Sequence, residues 1–330
     1  MGSILVTGGA GFIGSHTVRR LLDEGRRVVV LDNYDPFYDV AIKQRNVAEL
    51  ESRSGFELVE GDIRDRATVD ALFARCAVEG VIHLAARAGV RPSIEEPELY
   101  TSVNLAGTTT LLEACRRHEV DRFVFGSSSS VYGNNEKVPF SEDDAVDHPV
   151  SPYAATKKAG EVLCHAHHHL FGIKVACLRF FTVFGPGQRP DLAIHKFTRM
   201  MAEGQEIDQY GDGSSARDYT FVDDIVDGIV RAYDRAEHYH IWNLGNSGSV
   251  RLSEMIAKIA AGLGVEPRIR YLPMQPGDVD RTCADISRAR RELDWQPRTD
   301  FDRGLELFLA WYRDRTDTGS REVRTGGNAS

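Results

Sequence analysis

Cysteine is scarce in this 330-residue chain: five residues, an odd number, with no CxxC pair among them. That argues against a disulfide framework and against a cysteine-ligated zinc site. Cys76, Cys115, Cys164, Cys177 and Cys283 read instead as small buried hydrophobes of a reducing compartment. No run of 18 apolar residues occurs, so no membrane-spanning helix is expected. Basic excess is also missing. Asp and Glu number 49 against 40 Lys and Arg, for a net charge of −9, a field that repels nucleic acid and anionic lipid. An anionic substrate would then need local arginines and helix N-termini to hold it. The N-terminus, Met1-Gly2-Ser3-Ile4-Leu5-Val6-Thr7, has no basic region ahead of its apolar stretch, so a cytoplasmic protein without a secretory leader is expected. No internal repeat is visible.

What is present has ordinary globular composition, with 42% hydrophobic and 27% charged residues. Short continuous apolar runs alternate with helical stretches. Ser3–Thr7, Arg27–Leu31, Phe56–Glu60, Val81–Leu84, Arg122–Phe125 and Lys174–Leu178 read as strands. Phe12–Glu24, Ala67–Cys76, Leu99–Arg117 and a segment from Ser151-Pro152 to Gly172 read as helices, the last with Ser as N-cap. Continuous rather than alternating apolar strands imply burial on both faces, and strand–helix alternation implies a parallel sheet. The expected class is α/β: a Rossmann-type doubly wound parallel sheet with a smaller α/β C-terminal lobe. Residues 1–180 form the expected dinucleotide-binding part. Residues 181–313 are mainly a substrate-binding part, with some segments returning to the first, and 314–330 are a disordered tail.

Gly8, Gly11 and Gly14 follow the first strand and open a helix with Phe12 and Ile13. A tight turn there brings backbone close to a pyrophosphate and aims helix N–H groups at it. Asp32 ends the second strand, beside Asn33. A carboxylate at that place accepts ribose hydroxyls and repels a 2′-phosphate, which favours NAD over NADP. Asp62 and Ile63 follow the third strand, where adenine would lie; Asp62 also reads as a helix N-cap. Leu84, Ala85 and Ala86 close the fourth strand with small residues that let a cofactor cross the sheet edge. Tyr153 and Lys157, four apart on a helix, share a face. A lysine ammonium near a phenol lowers its pKa toward the range of a useful base. Ser127-Ser128-Ser129-Ser130 follow the fifth strand and place hydroxyls near that tyrosine. His165, His167, His168 and His169 crowd one helix, yet no metal is expected.

With these residues assembled, the chain resembles the extended short-chain dehydrogenase/reductases over nearly its whole length. Within them it is most similar to the UDP-glucuronate 4-epimerases. The resemblance is carried by Asp32-Asn33-Tyr34-Asp35-Pro36-Phe37-Tyr38-Asp39, His83-Leu84-Ala85-Ala86-Arg87-Ala88-Gly89-Val90-Arg91, Arg179-Phe180-Phe181-Thr182-Val183-Phe184-Gly185-Pro186, Arg217-Asp218-Tyr219-Thr220-Phe221-Val222-Asp223-Asp224, and Gln275-Pro276-Gly277-Asp278-Val279. It implies Tyr153 as base, Lys157 as its partner and Ser128 as the assisting hydroxyl. It places Arg91, Ser129, Ser130 and Thr182 at the substrate. Arg189 matches the arginine that grips the sugar carboxylate and Arg217 the diphosphate arginine. Tyr210 lies at the uracil segment and Asp278 near the ribose. Gln275 departs from the pattern, where many relatives carry a second arginine; Arg281 is a candidate for that contact.

The resemblance implies a catalytic, regenerated NAD, a UDP-hexuronic acid substrate and a homodimer. The expected reaction is C4 epimerisation through a 4-keto sugar. UDP-glucuronate decarboxylation and UDP-galactose 4-epimerisation stay open beside it, as does a non-catalytic NAD-binding scaffold. A 4,6-dehydratase is disfavoured, because Ser129 and Ser130 stand where that chemistry uses an Asp-Glu pair.

Overall fold

The computed structural model describes residues 2–273 and 280–325, with side chains through Thr316. Asp278 and Gln275 lie outside the described residues. Strands β1 (Ser3–Thr7), β2 (Val28–Asp32), β3 (Phe56–Glu60), β4 (Val78–His83), β5 (Arg122–Ser128) and β6 (Lys174–Phe180) form a parallel sheet. A seventh strand, Tyr239–Leu244, joins it beside β6. Across the sheet the order is β3-β2-β1-β4-β5-β6 and then this seventh strand, so the order reverses between β1 and β4. Open α/β sheets bind ligands at such a reversal, beyond the carboxyl ends of the strands.

Both faces of the sheet are covered. Ile4, Val6, Val28 and Val30 point into one apolar cluster, and Leu5, Val29 and Leu31 into the other. This is why β1 and β2 read as unbroken apolar runs. Each such side chain contributes about 1.5–3 kcal/mol on burial. Helices α1 (Phe12–Asp23), α2 (Val40–Glu51) and α3 (Arg66–Cys76) follow the first three strands.

The stretch expected as one helix over Leu99–Arg117 is broken up. Residues Val90–Glu95 form α4 and Pro97–Thr101 form α5. A π-turn spans Ser102–Ala106, and α6 covers Gly107–Arg117. The wider turn follows the work of Asn104, whose side chain bonds the backbone N–H and carbonyl of Arg87 at 2.8 and 3.0 Å. π-turns inside helices concentrate at functional places. Helix α7 spans Pro152–Phe171 between the Ser151 cap, which accepts from Ala154 N at 3.1 Å, and left-handed Gly172.

Beyond β6 the chain builds small sheets. Glu206–Tyr210 pairs with Arg268–Leu272, Thr182–Phe184 with Tyr219–Phe221, and Ala216–Arg217 with Val250–Arg251. Buried Asp218 stitches this region, accepting from the backbone of Asn246, Ser247 and Ala284 at 2.7, 3.1 and 2.9 Å. The last helix runs Phe301–Thr325, through much of the stretch expected as a tail from Asp314. Its first half packs Phe301, Leu305, Phe308, Leu309 and Tyr312 into the core, and the remainder continues the same helix.

Candidate active site

A cavity of about 420 Å³ opens at the carboxyl edge of the sheet, at the β1/β4 reversal. Its floor is the turn after β1. Gly8 has φ +71, and a Cβ there would stand 2.7 Å from Ala85 N. A Cβ on Gly14 would meet Gly8 O at 2.1 Å, so only glycine lets α1 sit this close to the strand. Helix α1 has no side-chain cap and no acidic residue in its first turn. Its first N–H groups, with Phe12 and Ile13 beside them, therefore face the cavity with a partial positive charge. Asp32 is buried and accepts from Ala10 N at 3.1 Å and Tyr34 N at 2.9 Å. A carboxylate has about four acceptor sites, so lone pairs remain for hydroxyls. Asn33 Nδ2 donates to Asp62 Oδ2 at 3.0 Å. Arg64 also bonds Asp62 and holds its carboxyl down to about 2. The cap of α3 is Asp65 rather than Asp62. Ile63, Leu84, Ala85 and Ala86 complete this half.

The other half holds Tyr153, Lys157, Ser128, Ser129, Ser130, Thr182 and Arg189. Tyr153 and Lys157 lie in the first turns of α7, where the Ser151 cap fixes the helix start. Lys157 Nζ donates to Gly126 O at 2.6 Å and stands 5.9 Å from the Tyr153 ring centre. Burial lowers the Lys157 ammonium to about 8. Burial also raises the Tyr153 phenol, while the Ser128 hydroxyl and the Arg189 charge pull it back down.

The serine run divides by strand alternation. Ser127 turns to Glu161 Oε1 at 2.7 Å, and Ser128 turns toward Tyr153, accepting also from Ser130 N at 3.1 Å. Arg189 uses Nε and Nη2 on Asp191 at 3.0 and 2.6 Å, and lies 5.1 Å from the Phe37 ring centre and 5.9 Å from that of Tyr38. Its opposite edge carries Nη1.

Four residues singled out from the sequence, Arg91, Tyr210, Arg217 and Arg281, do not line this cavity. Arg91 stands 5.0 Å from the ring centre of Tyr210, and Arg217 Nη1 donates to Ala216 O at 3.0 Å. Arg281 bonds Ser249 Oγ at 3.2 Å. Sequence reading missed Glu161, Arg179 and Asp191. Glu161 is one helical turn past Lys157 and wholly buried; Arg179 bonds both its oxygens at 2.9 Å. The spacing Tyr153, Lys157, Glu161 was the available signal. Among the described residues, no group of three His, Cys, Asp or Glu side chains is placed to hold a metal.

The family model described as GDP-mannose 4,6 dehydratase matches residues 5–308. UDP-glucuronate 4-epimerase 3 of Arabidopsis thaliana is 44% identical over 94% of this chain and 76% of its own length. The crystal structure of the UDP-glucuronic acid 4-epimerase from Bacillus cereus, in complex with UDP-glucuronic acid and NAD, has a TM-score of 0.90. It is 35% identical, over 95% of this chain and 99% of that one. The UDP-glucose 4-epimerase of Thermotoga maritima, solved with UDP-glucose, has a TM-score of 0.88 at 31% identity, covering 95% and 99%. With a family model matched over residues 5–308 and a relative 44% identical over 94% of it, the chain belongs to this family of extended short-chain dehydrogenase/reductases.

Proposed function

We propose that this protein is a UDP-glucuronate 4-epimerase with a tightly held NAD. The observation that carries the reading is the convergence of Tyr153, Lys157, Ser128 and Arg189 on one cavity beside the glycine cradle. The glycine turn fits a dinucleotide, because side chains at Gly8 or Gly14 would fill the space of the turn itself. Gly8, Gly11 and the start of α1 would hold the pyrophosphate, Asp32 the adenosine ribose, and Asp62 with Ile63 the adenine. When bound, NAD supplies a hydride acceptor and donor at C4 of the sugar.

The chain's own residues handle the proton and the carboxylate. Tyr153, as phenolate, takes the proton of the C4 hydroxyl, and Lys157 stabilises that anion at short range. Ser128 hydrogen-bonds the reacting oxygen. The 4-keto sugar is a β-keto acid and loses CO2 if its carboxylate aligns with the ketone. Arg189, whose Nε and Nη2 bond Asp191, would hold that carboxylate near the ring plane through Nη1. The dehydratase name of the family model is not the expected activity, since Ser129 and Ser130 offer neither an acid nor a base of suitable strength.

Arg217, Tyr210 and Arg91 fit a diphosphate and uracil region beyond the cavity wall. Residues 1–180 would serve the cofactor and 181–313 mainly the nucleotide sugar. One side of α7 exposes Val162 and Leu170, at 55 and 65%. Covering it with a second copy gives a homodimer. Among the described residues no helix is long and apolar enough to cross a membrane. The five buried free cysteines suit a cytoplasmic setting.

The deciding experiment is incubation with UDP-glucuronate followed by carbon-13 NMR. UDP-galacturonate as main product supports the reading. UDP-xylose with CO2 release would make the protein a decarboxylase, and turnover of UDP-glucose in preference would make it a hexose epimerase. Bound NAD with no turnover of any nucleotide sugar would leave a scaffold.

A further inference from the structure

Residues 33–39 leave β2 and run along the cavity before α2 begins at Val40. Asn33, Asp35, Phe37 and Tyr38 all line it. Short turns give this segment its shape: Asn33 Oδ1 accepts from Asp35 N, and Asp35 Oδ1 from Phe37 N, both at 3.0 Å. Lys43 Nζ donates to Asp35 O at 3.0 Å, tying the segment to α2. All of these bonds lie on its own side of the cavity.

Arg87 comes from the other side, just past β4. Asn104 fixes its backbone. Its Nη1 donates to Asp35 Oδ1 at 2.6 Å and its Nη2 to Glu96 Oε2 at 2.8 Å. The guanidinium carbon is 4.9 Å from the Phe37 ring centre and 6.0 Å from that of Tyr100. The side chain is 11% exposed, and Nε is buried without a hydrogen-bond partner. Desolvating a guanidinium this far is costly unless its remaining contacts are strong. Two of those contacts, the Asp35 carboxylate and the Phe37 face, lie on the 33–39 segment; the Glu96 carboxylate and Tyr100 lie on the Arg87 side. Neither Asp35 nor Phe37 has a place in the proton chemistry at Tyr153.

We propose that Arg87 is a positioning residue for the dinucleotide. Paired with Asp35, it clamps the 33–39 segment across the cavity and sets how slowly the cofactor escapes. The inference rests on reading this cavity as an NAD site. A cofactor regenerated at every turnover gains nothing from leaving, and one lost in its reduced form strands a keto sugar. A clamp away from the reacting atoms slows loss without altering the chemistry.

The test uses protein carrying its NAD, exchanged against excess radiolabelled NAD. Arg87→Met and Asp35→Asn should each speed exchange about tenfold or more, the scale of losing a charge-assisted hydrogen bond. Glu96→Gln, which touches only the guanidinium's exposed arm, should change it little. Across the three variants, the melting temperature of the NAD-free protein should not track the exchange rate. Exchange at the wild-type rate in both Arg87→Met and Asp35→Asn overturns the clamp while leaving the NAD site standing. So does a fall in NAD-free melting temperature that tracks the exchange rate, since that marks a general scaffold role. A wild-type protein that takes up no NAD removes the underlying reading together with the clamp.

Discussion

Lys157 and Tyr153 share one environment, and burial pushes both toward their neutral forms: the ammonium down to about 8, the phenol up. The phenol must lose its proton to serve as base, and Ser128 and Arg189 favour that loss. Loss from the phenol leaves an anion that the ammonium and Arg189 stabilise, and that state is the base in the proposed reaction. Activity on UDP-glucuronate should therefore rise with pH as the phenol deprotonates. Lys157→Met removes the stabilising charge. Its midpoint should move up by at least about one unit and kcat at neutral pH fall about 10²–10⁴-fold. A pH-rate profile checks both, and an unmoved midpoint would sever lysine from base.

Arg189 supports a second expectation at this scale. Arg189→Ala should raise KM for UDP-glucuronate and increase the share of pentose product, read by NMR. Loss of rate with no change in either quantity would assign the residue to something other than carboxylate control.

Among the elements, α7 shows what local sequence encodes and what it does not. Its start and stop follow from Ser151-Pro152 and Gly172, chemistry contained within a few residues. The cradle after β1 is equally local, as is the run of five buried residues in each of β1 and β2. The break in the Leu99–Arg117 stretch was not legible, because it depends on Asn104 meeting Arg87, 17 positions earlier. The same holds for Glu161, whose partner Arg179 sits on β6.

That buried pair locks α7 to the sheet and, through Ser127, to the end of β5. Glu161→Ala strands a buried guanidinium and should cost about 3–5 kcal/mol of stability. A Glu161→Leu, Arg179→Met double variant should recover much of it, yet with Ser127 released its kcat should stay low. Chemical denaturation and kinetics on the same samples separate the two effects. A double variant with full kcat would show that the network serves stability alone.

For the whole molecule, the centre of the sheet holds a titration that bears on global unfolding. His83 ends β4 and is wholly buried, with Nε2 3.0 Å from Thr108 Oγ1 and Nδ1 2.7 Å from Thr7 Oγ1. Thr108 spends its own proton on Asn104 O at 2.6 Å. It must then accept from His83, so the ring proton is on Nε2, and Nδ1 accepts from Thr7. A second proton on Nδ1 would break that bond inside an apolar layer. Burial accordingly lowers His83 to about 3 from its ordinary 6.5.

Between those values the unfolded chain binds a proton that the folded one refuses. Stability is complete above pH 6.5 and falls as pH drops below it, at about 1.4 kcal/mol per unit. Asp62, held down to about 2 from its ordinary 3.8, loses its contribution as pH falls between those values, so it adds nothing to the slope above pH 5. His83→Asn keeps a neutral donor and acceptor but cannot take the proton. Its denaturation free energy should be lower than wild type at pH 7.5 and converge on it by about 2 kcal/mol on going from pH 6.5 to 5. If the two curves stay parallel over that interval, the buried imidazole is not what makes this fold acid-sensitive, and the proton inventory of the sheet centre must be redrawn.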